Sequence, residues 1–173
     1  MRLNIGGGFQ RIDGFKNVDF VQCVDNAGKE YTDIICDIAK ERLPFEDNSV
    51  DEIACYETLE HMGHERENPD KQEALIWLMN EMWRVLKPEG ILKGKVPGTH
   101  SGAFSDPTHT RYFTPETFDY FTGLNKYNAW QPKRPKMASY GIKPWYKILV
   151  DDGIRFTLKP RKTKEYNYSM ETL

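Results

Sequence analysis

Histidines and carboxylates late in the chain could supply acid–base chemistry. The strongest candidate is His109, because Asp106 stands three residues before it and could orient its imidazole near neutral pH. The alternative is that His109 only holds the shape of its own loop. His61, next to Glu60, is a second candidate, although packing or hydrogen bonding at the start of a helix suits it better. Asp106, His109 and His61 are suitable metal ligands, but their spacing is not diagnostic and we predict no metal site.

A run of three glycines, Gly6, Gly7 and Gly8, follows the short apolar segment 2–5. Glycine permits positive φ and lets a ligand approach the main chain closely. The run therefore forms either a tight turn or a cradle for a nucleotide-like ligand. Carboxylates stand at or just after the ends of later apolar segments, at Asp19, Asp37 and Glu57. Parallel strands end at one sheet edge, where such folds bind ligands, so this coincidence favours the cradle.

The elements that would position these residues alternate strands with helical or irregular crossovers. We predict an α/β fold: a Rossmann-like, mostly parallel sheet with a C-terminal antiparallel hairpin. Only ten residues separate Gly8 from Asp19, fewer than a crossover helix requires, so the first helix is predicted to be shortened to a turn. We expect one domain over residues 1–159 and a polar tail over 160–173. The predicted strands span 2–5, 15–20, 32–38, 50–56, 91–96, 145–150 and 154–159, and the helices 69–87, capped by Asn68, and 115–121.

Composition narrows the class of protein. The 173 residues are 39% hydrophobic, contain no apolar run of the roughly 20 residues that span a membrane, and begin without a signal-peptide pattern. The three cysteines form no CxxC pair, which predicts reduced thiols and a cytoplasmic location. From residue 126 onward the chain carries 11 Lys and Arg against 4 Asp and Glu. This basic third is either a solvated surface or a contact for phosphate.

Several segments taken together resemble one enzyme family. They are LNIGGG, GFKNVDF, CDIAKERLPFEDNSVDEIACYETLEHM, EMWRVLKPEGILKGKVP and SDPTHTRYFTPETF. In this order the chain resembles the class I S-adenosylmethionine-dependent methyltransferases, in particular the small type 11 group. The resemblance implies S-adenosylmethionine as the cofactor. Two positions depart from the family pattern: Asn4 stands where an acidic residue is usual, and Gln10 where a third glycine is usual.

The resemblance also implies roles for individual residues. Gly6 and Gly8 would bring the main chain against the methionine part of the cofactor. Asp19 would accept hydrogen bonds from both ribose hydroxyls, since a carboxylate offers two acceptor oxygens. The remaining cofactor-binding positions are Asn4 and Gly7 in the glycine segment, Phe20 beside Asp19, Asp37 and Ile38 around the adenine, and Tyr56 and Glu57 beside the sulfonium.

The expected function is O-methylation of a small-molecule or sugar acceptor, including a glycan. We expect no membrane partner, and a homodimer is one possible assembly. Two alternatives stay open. One is a degenerate cofactor-binding or scaffold protein without turnover, and the other is an RNA-directed methyltransferase that uses the basic C-terminal third. A nicotinamide cofactor is disfavoured because the third glycine is missing and Asp19 comes too soon after the glycines.

Overall fold

The computed structural model describes residues 1–98, 101–122 and 140–162. Its sheet has seven strands in the order β3-β2-β1-β4-β5-β7-β6. The first five pair in parallel, and β7 and β6 are antiparallel. The Rossmann-like sheet with a C-terminal antiparallel hairpin is thereby confirmed. The strands are β1 Arg2–Ile5, β2 Lys16–Asp19, β3 Ile34–Ile35, β4 Val50–Tyr56, β5 Leu86–Lys95, β6 Trp145–Val150 and β7 Arg155–Pro160.

The first crossover contains no helix, as the short spacing predicts. Residues 6–15 connect β1 to β2 irregularly, and Leu3 pairs with Lys16 in parallel register. Leu3, Ile5 and Val18 are fully buried, because these central strands are covered on both faces. The short connection of residues 6–15 therefore joins two strands whose apolar side chains are buried in the core.

The third strand is much shorter than the predicted segment 32–38. Asp37 explains this, because its Oδ1 accepts the amide of Ala39 at 3.1 Å and its carbonyl accepts the amide of Lys40 at 2.9 Å. These bonds close a turn and end the ladder after Ile35.

The long helix, α1 (Ala74–Val85), starts five residues later than predicted. Asn68 is buried, but its Oδ1 accepts the amide of Gln72 at 3.0 Å and its Nδ2 donates to the carbonyl of Gln72 at 2.7 Å. It closes a loop before the helix, so the prediction that it caps the helix is wrong. The predicted apolar face is confirmed, since its members are buried except for the partly exposed Trp83: Ala74, Leu75, Leu78, Met79, Met82 and Leu86.

Later elements complete the framework of the site. A short helix, α2 (Ser101–Ser105), follows β5, and a 3-10 helix spans Pro115–Phe121 behind a capping box of Thr114 and Thr117. The predicted linker 124–144 and the tail lie largely outside the described residues. Among the described helices, none is long and apolar enough to cross a membrane.

Candidate active site

The glycine loop turns sharply at the end of β1. Gly6 and Gly8 have φ of +67° and +51°, values that favour glycine. A Cβ atom on Gly6 would lie 2.4 Å from Thr58 Oγ1, and one on Gly7 would lie 2.4 Å from Asn4 Nδ2. A Cβ on Gly8 would meet nothing within 4 Å. Gly6 and Gly7 are therefore bare so that protein side chains can pack against them, and only Gly8 faces open space.

Two buried amides hold this loop in place. Asn4 Nδ2 donates to the carbonyl of Gln10 at 2.9 Å and to Asn17 Oδ1 at 2.7 Å. Asn17 Nδ2 donates to the same Gln10 carbonyl at 3.0 Å. A carboxylate at position 4 could donate to neither oxygen, which explains the departure from the usual acidic residue. Asn4 was predicted to be a cofactor-binding residue, but its amide supports the loop. Asn17 was not predicted, and the available signal was an amide within the predicted strand 15–20.

Asp19 joins the loop to the end of β2. Its side chain is buried, its Oδ2 accepts the amide of Gly8 at 2.9 Å, and its Oδ1 accepts the amide of Phe20 at 2.8 Å. An ionised carboxylate has about four acceptor positions, so two are left for another ligand. Phe20 is 66% exposed beside it. The structure thus brings Asp19, Gly8 and Phe20 together, in the arrangement that parallel strands predict.

The other predicted cofactor residues differ in their surroundings. Asp37 is half-buried and closes the turn after β3, while Ile38 is buried in the core. Tyr56 is exposed at the end of β4. Glu57 follows it with φ of +50°, and its Oε1 accepts a hydrogen bond from Lys95 Nζ at 2.7 Å. Ile38 therefore contributes to packing, whereas Tyr56 lies at the surface of the edge.

The predicted catalytic histidines meet across two loops. The main-chain carbonyl of Glu60, within the 3-10 turn Leu59–His61, accepts the amides of Thr110 at 2.8 Å and Arg111 at 3.1 Å. These bonds bring His109 against His61 edge to face, with ring centroids 4.8 Å apart. The two histidines singled out by the sequence are therefore neighbours although 47 residues separate them.

Asp106 does not orient His109 in the way predicted. His109 Nδ1 donates to the carbonyl of Ala103 at 2.8 Å, whereas its Nε2 lies 3.7 Å from Asp106 Oδ2, beyond hydrogen-bond distance. Asp106 Oδ1 instead accepts the hydroxyl of Thr108 at 2.6 Å, and that hydroxyl lies 3.1 Å from His61 Nδ1. The carboxylate thus orients His61 through Thr108. Its hydrogen bonds to Thr108 hold the pKa of Asp106 below its ordinary value.

Glu60 is the residue of this cluster that sequence reasoning missed. Its side chain is 1% exposed, and among the described residues no group pairs with its carboxylate apart from the neighbouring Glu57 carboxyl. Burial raises the pKa of Glu60 to about 8, and the neighbouring Glu57 acts in the same direction. The available signal was a carboxylate between Leu59 and His61 just after a buried strand.

An arginine clamp fixes the loop that carries His109. Arg111 donates to the carbonyls of Met62 at 3.0 Å and Gly63 at 2.8 Å. It also pairs with Glu73 at 2.9 Å, at the start of α1. Next to the clamp, Tyr112 stacks on Phe104 with ring centroids 4.5 Å apart, and both rings are at least half exposed. A flat aromatic surface therefore flanks the histidine pair.

Comparisons with known proteins agree with the fold described above. Residues 16–93 match the type 11 family model, described as a methyltransferase domain. A protein from Pyrococcus horikoshii OT3 has a similar structure, with a TM-score of 0.55 and 14% identity over 92% of this chain and 82% of that chain. A second similar structure is a chain from the complex between the Haloferax volcanii Trm112 methyltransferase activator and a methyltransferase. Its TM-score is 0.53, and it is 16% identical over 92% of this chain and 81% of that chain.

An S-adenosylmethionine-dependent methyltransferase from Archaeoglobus fulgidus is 18% identical, with a TM-score of 0.49. The match covers 69% of this chain and 57% of that protein, so this chain spans little more than half of its length. The search of curated proteins found no match. The matched residues include Asp19 at the end of β2 and Glu60 in the 3-10 turn after β4, but neither the glycine loop nor His109. The sheet order agrees with the fold that the resemblance implied. Residues 16–93 therefore match the type 11 methyltransferase domain, and the described residues have the Rossmann-like fold that the resemblance implied.

Proposed function

We propose that this protein transfers a methyl group from S-adenosylmethionine to a hydroxyl of a small-molecule or sugar acceptor, including a glycan. The observation that carries the proposal is the contact between the glycine loop and Asp19, in which Gly8 donates its amide to Asp19 Oδ2 at 2.9 Å. It joins the two parts of the chain that would hold the two halves of the cofactor.

The residues present fit the cofactor. Asp19 keeps two acceptor positions for the ribose hydroxyls, and Gly8 leaves open space where its main chain can meet the methionine part. The exposed ring of Phe20 offers a face for the adenine. S-adenosylmethionine supplies an electrophilic methyl group, and its sulfur takes the electron pair of the broken carbon–sulfur bond.

The histidine pair supports a hydroxyl as the acceptor. His109 Nδ1 is held by the carbonyl of Ala103, so Nε2 keeps a lone pair that can accept the hydroxyl proton. Phe104 and Tyr112 add a stacked aromatic surface of the kind against which sugar rings and aromatic rings pack. His109 therefore stays our candidate for the residue that acts on the acceptor.

The RNA-directed alternative stays open. Lys162 is one of the basic residues that could have contacted phosphate, but its Nζ donates to three protein oxygens within 3.0 Å. Lys133, Arg134, Lys136 and Lys164 lie outside the described residues. Of these five residues only Lys162 is described, and its ammonium group is held by protein oxygens.

Calorimetric titration with S-adenosylmethionine and S-adenosylhomocysteine, with NAD as control, tests the proposal. We expect a micromolar Kd for the first two, about −8 kcal/mol, and none for NAD. Asp19→Ala should weaken binding at least about tenfold. Asp51→Ala is the matched control, because it removes an exposed carboxylate near the start of β4. This is the edge of the parallel sheet opposite to the one at which β2 ends in Asp19.

The outcomes separate the candidate functions. Unchanged binding by Asp19→Ala would refute the ribose assignment. Failure of the wild-type protein to bind either ligand would favour the degenerate or scaffold protein. Where binding is found, transfer of an isotope-labelled methyl group to a panel of sugars, phenols and RNA identifies the acceptor class.

A further inference from the structure

Three side chains behind the proposed acceptor surface form a compact set of metal-ligand atoms. Glu60, His61 and His109 each offer one such atom, and all lie within 4.8 Å of one another. The Glu60 carboxylate is 1% exposed, and in the described part of the chain no group pairs with it apart from the neighbouring Glu57 carboxyl. A buried carboxylate without a partner is costly, so its native state calls for either a proton or a cation.

The two imidazoles are both oriented for metal binding. His109 Nδ1 lies 2.8 Å from the carbonyl oxygen of Ala103, and His61 Nδ1 lies 3.3 Å from that of Thr108. A carbonyl oxygen only accepts, so each Nδ1 carries the hydrogen and each Nε2 carries the lone pair. Metal-bound histidines commonly donate their second ring N–H to such an oxygen, which fixes the tautomer and the ring orientation.

A further layer supports His61. The Thr108 hydroxyl lies 3.1 Å from His61 Nδ1 and donates to Asp106 Oδ1 at 2.6 Å. The carboxylate therefore acts at one remove from the ring, as acidic residues do around metal-binding histidines. The same Oδ1 accepts the amide of Thr108 at 2.8 Å, so this carboxylate also closes a local turn in the loop that carries His109.

We propose that Glu60, His61 and His109 bind a divalent transition-metal ion such as Zn²⁺ or Mn²⁺. Two imidazoles and one carboxylate form a ligand set found in catalytic metal centres, which keep positions open for water or substrate. The sequence pattern predicts no metal site, because loops 47 residues apart bring His61 and His109 together and because Glu60 was not among the candidate ligands.

The consequence for methyl transfer rests on the proposed function. An acceptor hydroxyl at an open position of the metal would have a lowered pKa and would lose its proton to a solvent base. The hydroxyl oxygen would then be the nucleophile. His109 would serve as a metal ligand, and the cation would replace it in activating the hydroxyl.

Metal binding is measured on the full chain after treatment with a chelator and its removal. Mn²⁺ is titrated and followed by the loss of its free electron paramagnetic resonance signal, and Zn²⁺ is titrated by calorimetry. We expect one ion per chain, with affinity lowered at least about tenfold in Glu60→Gln, which preserves side-chain shape. His61→Ala, at an exposed position, is the second variant. His64→Ala is the control, because His64 is exposed and outside the cluster.

Thermal unfolding of each sample confirms that the variants are folded. The proposal is overturned if the wild-type protein binds neither ion, or if Glu60→Gln and His61→Ala both bind as tightly as His64→Ala. Cofactor titration on the same samples separates this inference from the proposed function. Cofactor binding without metal binding would remove only the metal site, and metal binding without cofactor binding would remove only the methyltransferase activity.

Discussion

Gly8 provides the sharpest test of the cofactor cradle, because its lack of a side chain has no packing explanation. A Cβ atom at this position would meet nothing within 4 Å, whereas one on Gly6 would lie 2.4 Å from Thr58 Oγ1. Replacement of Gly8 by alanine therefore adds one methyl group to the space proposed for the methionine part of the cofactor. Gly28 is the matched control, since it too has positive φ and open space, in an exposed turn between β2 and β3.

The expected costs differ between stability and binding. Alanine in a left-handed conformation costs about 1 to 2 kcal/mol, so Gly8→Ala and Gly28→Ala should each destabilise the fold by that amount. In a chain of this size each kcal/mol lowers Tm by about 2 to 4 °C. Gly6→Ala should cost more, about 2 to 5 kcal/mol, because overpacking against Thr58 adds to the backbone strain.

Binding should separate the first two variants. We expect Gly8→Ala to weaken S-adenosylhomocysteine binding at least about tenfold, or about 1.4 kcal/mol, and Gly28→Ala to leave it unchanged. Calorimetric titration and thermal unfolding on the same samples measure both quantities. Equal affinity in Gly8→Ala and the wild-type protein would refute the reasoning, and equal losses in both variants would mean that loop strain, rather than occupied space, controls binding.

Two further predictions concern the supports of the site. Asn4→Asp would set a carboxylate against the Gln10 carbonyl and Asn17 Oδ1. We therefore expect the free energy of unfolding, measured with denaturant, to fall by about 1 to 3 kcal/mol. An unchanged unfolding midpoint would show that the amide is dispensable. Arg111 holds the pKa of Glu73 below its ordinary value of 4.5, so the stability from this pair is present above pH 4.5 and lost as pH falls through the lowered pKa. Glu73→Gln should therefore cost about 1 kcal/mol at pH 7 and nothing at the acid end, and a cost independent of pH would contradict the ion pair.

Elements specified by local signals could be predicted closely. The strand Val50–Tyr56 has its predicted bounds, and the C-terminal hairpin is within one residue of its prediction at each end. Alternating apolar residues and the turn sequence Asp151-Asp152-Gly153 suffice there. The predicted start of α1 was wrong because the Asn68 side chain does not cap the helix. Its amide closes a loop with Gln72 and lies 3.4 Å from the carbonyl of Ala39, a contact 29 residues away along the chain.

The candidate site also has one part that local sequence signals predict and one part that they do not. Asp19 and Gly8 are close because parallel strands place successive strand ends together, which the sequence pattern indicates. The histidine cluster depends on the bonds from Thr110 and Arg111 to the Glu60 carbonyl, which connect segments 50 residues apart. No periodic signal encodes that contact, so the sequence identified His109 but neither its true orienting acceptor, Ala103, nor the ligand set.

The two halves of the proposed site are coupled through the segment that follows β4. Thr58 fills the space that a side chain on Gly6 would occupy, and its hydroxyl lies 3.3 Å from the carbonyl of Ile5 at the end of β1. Two and three residues later the same segment provides Glu60 and His61. Since the first crossover has no helix to brace the glycine loop, contacts with Thr58 and hydrogen bonds from the buried amide of Asn4 hold it. Any shift of this segment would therefore move the glycine loop and the histidine cluster together, which would keep the proposed donor and acceptor sites aligned.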